Sequence, residues 1–116
     1  MEDSACEVSD MMKGILQEKH IPLKQAIRDL LLDRSYGYQI FRGSRKPTRL
    51  TLLRFALLYQ LDLETTQRLL RVGQKPELYV KRRFDAAVVW GMEHQLTPEQ
   101  TEELLQEIGE SSLFER

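Results

Sequence analysis

The chain has 116 residues, 41% of them hydrophobic and 30% charged, with a formal net charge of −1. That length and balance suit one globular domain with its own core, and they exclude collagenous, low-complexity and disulfide-stapled classes. The near-zero charge conceals an asymmetry. Residues 1–10 carry four acids and no base, residues 11–83 carry sixteen Lys/Arg against six acids, and residues 84–116 carry eight acids and Arg116. A basic body of this kind suits a polyanionic partner, whereas the acidic last third does not.

Residues 1–8 read as a disordered acidic N-terminus. Glu2, Asp3, Glu7 and Asp10 stand where a secretory leader would carry bases, so no signal peptide is expected. The lone cysteine, Cys6, falls in this tail. It has no partner for an intrachain disulfide or a cysteine-based metal site, and it fits a reducing, cytoplasmic setting. The longest apolar run, residues 86–92, is far too short to span a bilayer, so no membrane partner is expected.

Without an alternating strand pattern or an Asn-Gly or Asp-Gly hairpin signal, the chain reads as all-α, with about seven helices. A first helix is expected over 9–19, with Met12, Ile15 and Leu16 inward. Pro22 suits the first turn of a second, whose apolar face is Leu23, Ile27, Leu30 and Leu31. Asp33 is placed to cap a third helix that begins at Arg34 and stops at Gly43. Thr48 caps a fourth with Leu52, Leu53, Ala56 and Leu57, and Asp62 a fifth with Leu63, Thr66, Leu69 and Leu70, ending at Gly73. The segment 78–94 carries Phe84, Ala87, Val88 and Met92 on its apolar face. Thr97-Pro98-Glu99-Gln100 is a capping box with proline at the first helical position, and it opens a last helix with Leu104, Leu105 and Ile108.

FALLYQLDLETTQRLL (55–70) aligns without gaps on WGMEHQLTPEQTEELL (90–105). Gln60, Leu61, Glu64, Thr66, Leu69 and Leu70 recur as Gln95, Leu96, Glu99, Thr101, Leu104 and Leu105. Two such helical hairpins side by side bury a continuous apolar seam.

The stretch SYGYQIFRGSRKPT (35–48), followed by LTLLRFALLYQLDLE, resembles the recognition helix, basic loop and following helices of the phage-repressor-type (Cro/cI, lambda-repressor-like) helix-turn-helix family. Ile40, Gly43, Arg45, Pro47, Thr48, Leu52, Ala56, Leu61 and Leu63 stand at the family's positions. The resemblance covers a little over half the chain and leaves the C-terminal repeat outside it. It implies a five-helix unit over 9–73, extended by an acidic hairpin over 78–109 and a tail over 110–116. It also implies sequence-specific binding of double-stranded DNA by a small bacterial or mobile-element transcription regulator. The short third helix would then enter the major groove N-terminus first. Arg34, Ser35, Tyr36 and Gln39 are the candidates for reading bases. Arg42, Arg45, Lys46, Thr48 and Arg49 are the candidates for phosphate contact. The chain departs from the family at the Leu30-Leu31-Leu32 turn, at Gly37 (usually an aliphatic core residue) and at Phe41.

One short helix reads few base pairs, so a homodimer or a protein partner is expected, with the acidic C-terminal region as interface. Trp90, in the second hairpin, and Leu113 and Phe114, in the tail, are its candidates. The alternative is a repressor-like fold used as a protein adaptor or antitoxin-like module. His20 and His94 lack ligand-spaced neighbours. Glu99, Glu102, Glu103 and Glu107 read as a solvated helix face. No phosphate loop or nucleophile–base set is present, so no enzyme, metal or cofactor is expected.

Overall fold

Seven α-helices, and no strand, occupy the described residues 4–114 of the computed structural model. They are α1 (Ser4–Glu18), α2 (Leu23–Asp29), α3 (Arg34–Arg42), α4 (Arg49–Leu58), α5 (Leu63–Val72), α6 (Arg83–Glu93) and α7 (Pro98–Glu107). The Cα radius of gyration is 13.5 Å, as expected of one domain of this length.

Local chemistry sets the starts of four helices. Asp33, Thr48, Asp62 and Thr97 each accept a hydrogen bond from the backbone N–H three residues on, at Tyr36, Thr51, Thr65 and Gln100. The Thr97 box is complete, because the Gln100 side chain accepts in return from Thr97 N–H at 2.9 Å.

The ends share one device. Every helix closes with a residue at positive φ, and the next N–H reaches back five residues. Examples are Leu32 to Ile27 O (3.1 Å), Leu61 to Ala56 O (2.9 Å) and Leu96 to Gly91 O (2.8 Å). Glycine supplies that conformation only at Gly43 and Gly109. His20, Leu31, Gln60, Gln74 and Gln95 adopt it with φ of 54° to 59°. At Gln60 the burial of the following Leu61 helps to hold the closure. A left-handed non-glycine residue costs about 1–2 kcal/mol, and glycine's extra unfolded-state freedom returns about half of that. Leu31→Gly and Gln60→Gly are therefore each expected to stabilise the fold by about 0.5–1 kcal/mol. Urea midpoints at constant m check this, and a loss in both variants would refute it.

α4 has no polar stripe. Thr51, Leu52, Leu53, Arg54, Phe55, Ala56 and Leu57 are all buried, so this helix must be surrounded. It packs on α5, α6 and α7, while α1 packs on α2, α3 and α5, so α5 joins the two groups. α1, α4 and α5 converge at Gly73, where a Cβ would lie 3.0 Å from Leu52 Cδ1 and 3.3 Å from Val8 Cγ2.

The two hairpins α4–α5 and α6–α7 are built alike. Gln60 and Gln95 make the same left-handed exit. The buried Thr66 and Thr101 hydroxyls donate to the cap carbonyls of Asp62 (2.8 Å) and Thr97 (2.9 Å). Where the first copy has Ala56, the second has Gly91, whose added Cβ would meet Thr101 Oγ1 at 2.6 Å.

Several expectations need correction. The first helix starts at Ser4, not at residue 9. Ala5 and Val8 are buried on the same stripe as Met12, Ile15 and Leu16, so 4–8 are not a disordered tail; residues 1–3 lie outside the described part. Leu31 is 69% exposed, because its left-handed turn directs it away from the α2 core face, and Leu63 is also exposed. Residues 78–82 precede α6 as a loop. The loop is pinned by Gln67, whose amide donates to Leu78 O at 2.9 Å and accepts from Leu78 N–H at 2.7 Å.

Leu113 is wholly buried. Its N–H donates to Glu102 Oε1 (2.7 Å) and its carbonyl accepts from Arg54 Nη1 (3.1 Å). It is thus a core residue and not an interface anchor, and the Phe114 ring lies 5.3 Å from the same guanidinium. Glu102 is accordingly not part of a merely solvated face. Burial pushes its carboxyl up, but hydrogen bonds from Leu113 N–H, Gln106 and Ser112 outweigh this and hold it below its ordinary range. Trp90, the interface candidate of the second hairpin, is 47% exposed. Its ring stacks on His94 at 3.8 Å between centroids.

Candidate nucleic-acid interface

α3 has two unlike sides. Gly37, Ile40 and Phe41 are buried, and the buried Ser9 hydroxyl donates to Phe41 O at 2.5 Å, fixing the helix to α1. Gly37 lets α3 approach α2 closely, since a Cβ there would lie 2.6 Å from Ile27 Cγ2 and 2.9 Å from Ile27 Cγ1. The space that a side chain at position 37 would take is thus filled by Ile27 of α2. On the opposite side Ser35, Gln39 and Arg42 form an i, i+4, i+7 stripe, led by the exposed Arg34. Tyr36 and Tyr38, both half-buried, flank it.

Each flank carries cations. Beside Tyr36, Arg45 places its guanidinium 5.3 Å from the ring centroid, a contact that limits the freedom of a loop arginine. Beside Tyr38, a groove between α2 and α3 is lined by Lys24, Arg28 and Arg34 over Ile27 and Leu32. Lys24 and Arg28 were not singled out from sequence. Their i, i+4 spacing, which puts both on one face of α2, was the available signal.

Beyond α3 the candidates divide. Arg42, Arg45 and Lys46 are exposed, with Lys46 Nζ donating to Gln74 Oε1 at 3.1 Å. The Thr48 hydroxyl is occupied as the α4 cap, leaving the first-turn backbone of α4 as its contribution to any anion site. Arg49 is engaged inward. Its two Nη atoms donate to the two Asp85 oxygens at 3.2 and 3.1 Å, Nε donates to Pro76 O at 2.8 Å, and Nη2 donates also to Glu77 O at 3.1 Å. The Asp85 side chain is 4% exposed and accepts Tyr79 N–H as well. Arg49 is thus a structural residue here, corrected from its place among the phosphate candidates. Sequence reasoning had no local signal for a partner 36 residues away.

Cys6 lies on ordered helix, with Sγ 3.8 Å from Gly43 O. The buried Tyr59 hydroxyl has no hydrogen-bond partner among the described residues. Burial, and then the charge of Asp29, push it up to about 12. His94 Nδ1 lies 2.8 Å from Trp90 O. No group of three His, Cys, Asp or Glu among the described residues is placed to hold a metal ion, and no described helix is long and apolar enough to cross a membrane. Comparisons with protein-family models, with curated proteins and with solved structures each gave no match.

Proposed function

We propose that this chain is a lambda-repressor-like helix-turn-helix protein that binds double-stranded DNA with sequence preference through α2, the Leu30–Asp33 turn and α3. In this reading it is a small transcription regulator of bacterial or mobile-element type. The two-sided character of α3 carries the proposal: a buried Gly37/Ile40/Phe41 stripe fixes the helix, and the opposite stripe presents Ser35, Gln39 and Arg42 behind Arg34. Arg34 suits guanine O6 and N7, and Gln39 suits adenine N6 and N7. Ser35 and Tyr36 complete the base-facing end. Arg42, Arg45 and Lys46, with Lys24 and Arg28 across the groove, follow the phosphates. The DNA-bound form is a dimer or carries a protein partner on the C-terminal region, because one short helix spans too few base pairs.

Selection of bound duplexes from a random pool at near-physiological salt tests this, and an enriched motif is the expected result. Five phosphate contacts per copy imply a fall in affinity of about 500-fold between 50 and 200 mM salt. Arg34→Ala is expected to remove about 1–3 kcal/mol of discrimination at one base position. Arg45→Ala should weaken all sequences alike and reduce the salt slope by about one. Absence of salt-dependent duplex binding would end the proposal. It would leave the adaptor or antitoxin-like reading, which is favoured by the exposed Trp90, Tyr79 and Val80.

A further inference from the structure

The outward face of α6 has an order that complements itself when reversed. α6 packs on α4 and α7, burying Asp85, Ala87, Val88, Val89 and Gly91. Opposite Val88, at i, i+3, i+7 and i+10, stand Arg83, Ala86, Trp90 and Glu93, in the order cation, small, large, anion. Laid antiparallel on a second copy with the two-fold axis at Val88, this face sets Trp90 against Ala86 and Arg83 against Glu93, twice over. That is the arrangement an isologous contact requires. Trp90 is 47% exposed with only His94 stacked on it, and the groove beside it adds Ala87, Leu104 and Ile108 as further apolar surface. α3 packs on α1 and α2, away from this helix, so the face does not compete with the candidate DNA surface.

We propose that α6 is a homodimer interface whose occupant is α6 of a second copy, antiparallel, with Trp90 filling the space over Ala86 and reciprocal Arg83–Glu93 pairs at the two ends. This specifies the oligomer expected above but does not rest on DNA binding. Within one copy Arg83 and Glu93 are about 15 Å apart along the helix, so they cannot pair with each other.

Sedimentation equilibrium of the full chain from about 1 µM to about 1 mM, without DNA, tests the proposal independently of the DNA reading. A monomer–dimer equilibrium is expected, weakened at least about 10-fold by R83E or E93R alone and recovered in the double exchange. Arg83 also donates to Ile108 O, and the loss of that bond would not be repaired by a change at Glu93, so recovery isolates the contact between copies. Ala86→Arg, which blocks the seat of the tryptophan, is expected to abolish the dimer with the fold intact by circular dichroism. Trp90 is the one tryptophan in the chain, so its emission should shift to the blue as wild type associates. A wild type that stays monomeric at the highest concentration overturns the proposal. So does a dimer indifferent to the single exchanges or to Ala86→Arg, or a double exchange that stays apart.

Discussion

Arg49→Ala is expected to destabilise the protein by about 3–5 kcal/mol, a large part of the total stability of a domain this size. The arginine makes paired bonds to a carboxylate that is 4% exposed and also holds the Pro76 and Glu77 carbonyls, so one side chain joins the start of α4 to the loop before α6. Truncating it strands the Asp85 charge in the interior, and that desolvated charge, more than the lost attraction, sets the cost. Asp85→Leu combined with Arg49→Met should recover much of the loss, since neither charge then remains buried. Urea unfolding of the two singles and the pair checks this. A loss below about 1 kcal/mol for Arg49→Ala would show that the pair is dispensable. The same variant separates two roles for Arg49, because its duplex affinity per folded molecule should keep the wild-type salt slope.

The second large effect is expected at Gly37. Alanine normally gains about 1 kcal/mol over glycine inside a helix. Here its Cβ would fall 2.6 Å from Ile27 Cγ2, and Ile27 is buried, β-branched and stiff at χ1. Overpacking costs about 1–3 kcal/mol, and an approach this close falls at the upper end, so Gly37→Ala should destabilise by up to about 2 kcal/mol net, and Gly37→Leu by more. The strain should fall when Ile27 is cut back: Ile27→Ala with Gly37→Ala is expected to cost less than the sum of the singles by about 1 kcal/mol. Additive costs, or a stabilised Gly37→Ala, would contradict the steric account. Because the contact sets the spacing of α2 and α3, these variants should also lower duplex affinity while leaving the charges in place.

The legible parts of the fold were those decided within a few residues. Asp33, Thr48, Asp62 and the Thr97 box cap the helices as their spacing indicates, since a side chain reaches an N–H three positions on whatever surrounds it. The Gln-Leu exits of the repeat were visible as recurring letters. The left-handed backbone at Gln60 and Gln95 was not, because glycine is the usual sign of it. The start of α1 was readable in the stripe Ala5, Val8 and Met12 but was masked by the acidic composition around it. At the candidate interface, the α3 candidates came from the resemblance, and the structure sets Ser35, Gln39 and Arg42 opposite the buried stripe. The positions of Arg45 over Tyr36 and of Lys24 and Arg28 beside Arg34 depend on how a loop and a second helix fold against α3.

By itself the sequence determined the helical class, the places where most helices begin, the inward stripe of most helices and the concentration of cations between residues 11 and 83. These depend on backbone hydrogen bonding and on a period of 3.6 residues, both local properties. Only the tertiary structure decided which cations remain free for a partner. It turned Arg49 inward to Asp85, sank Leu113 beneath Glu102 and Arg54, and left Trp90 outside. Each of these outcomes is a choice between solvent and a group far away in the chain. Desolvation settles that choice through the whole three-dimensional surroundings of a side chain, which no local pattern of residues contains.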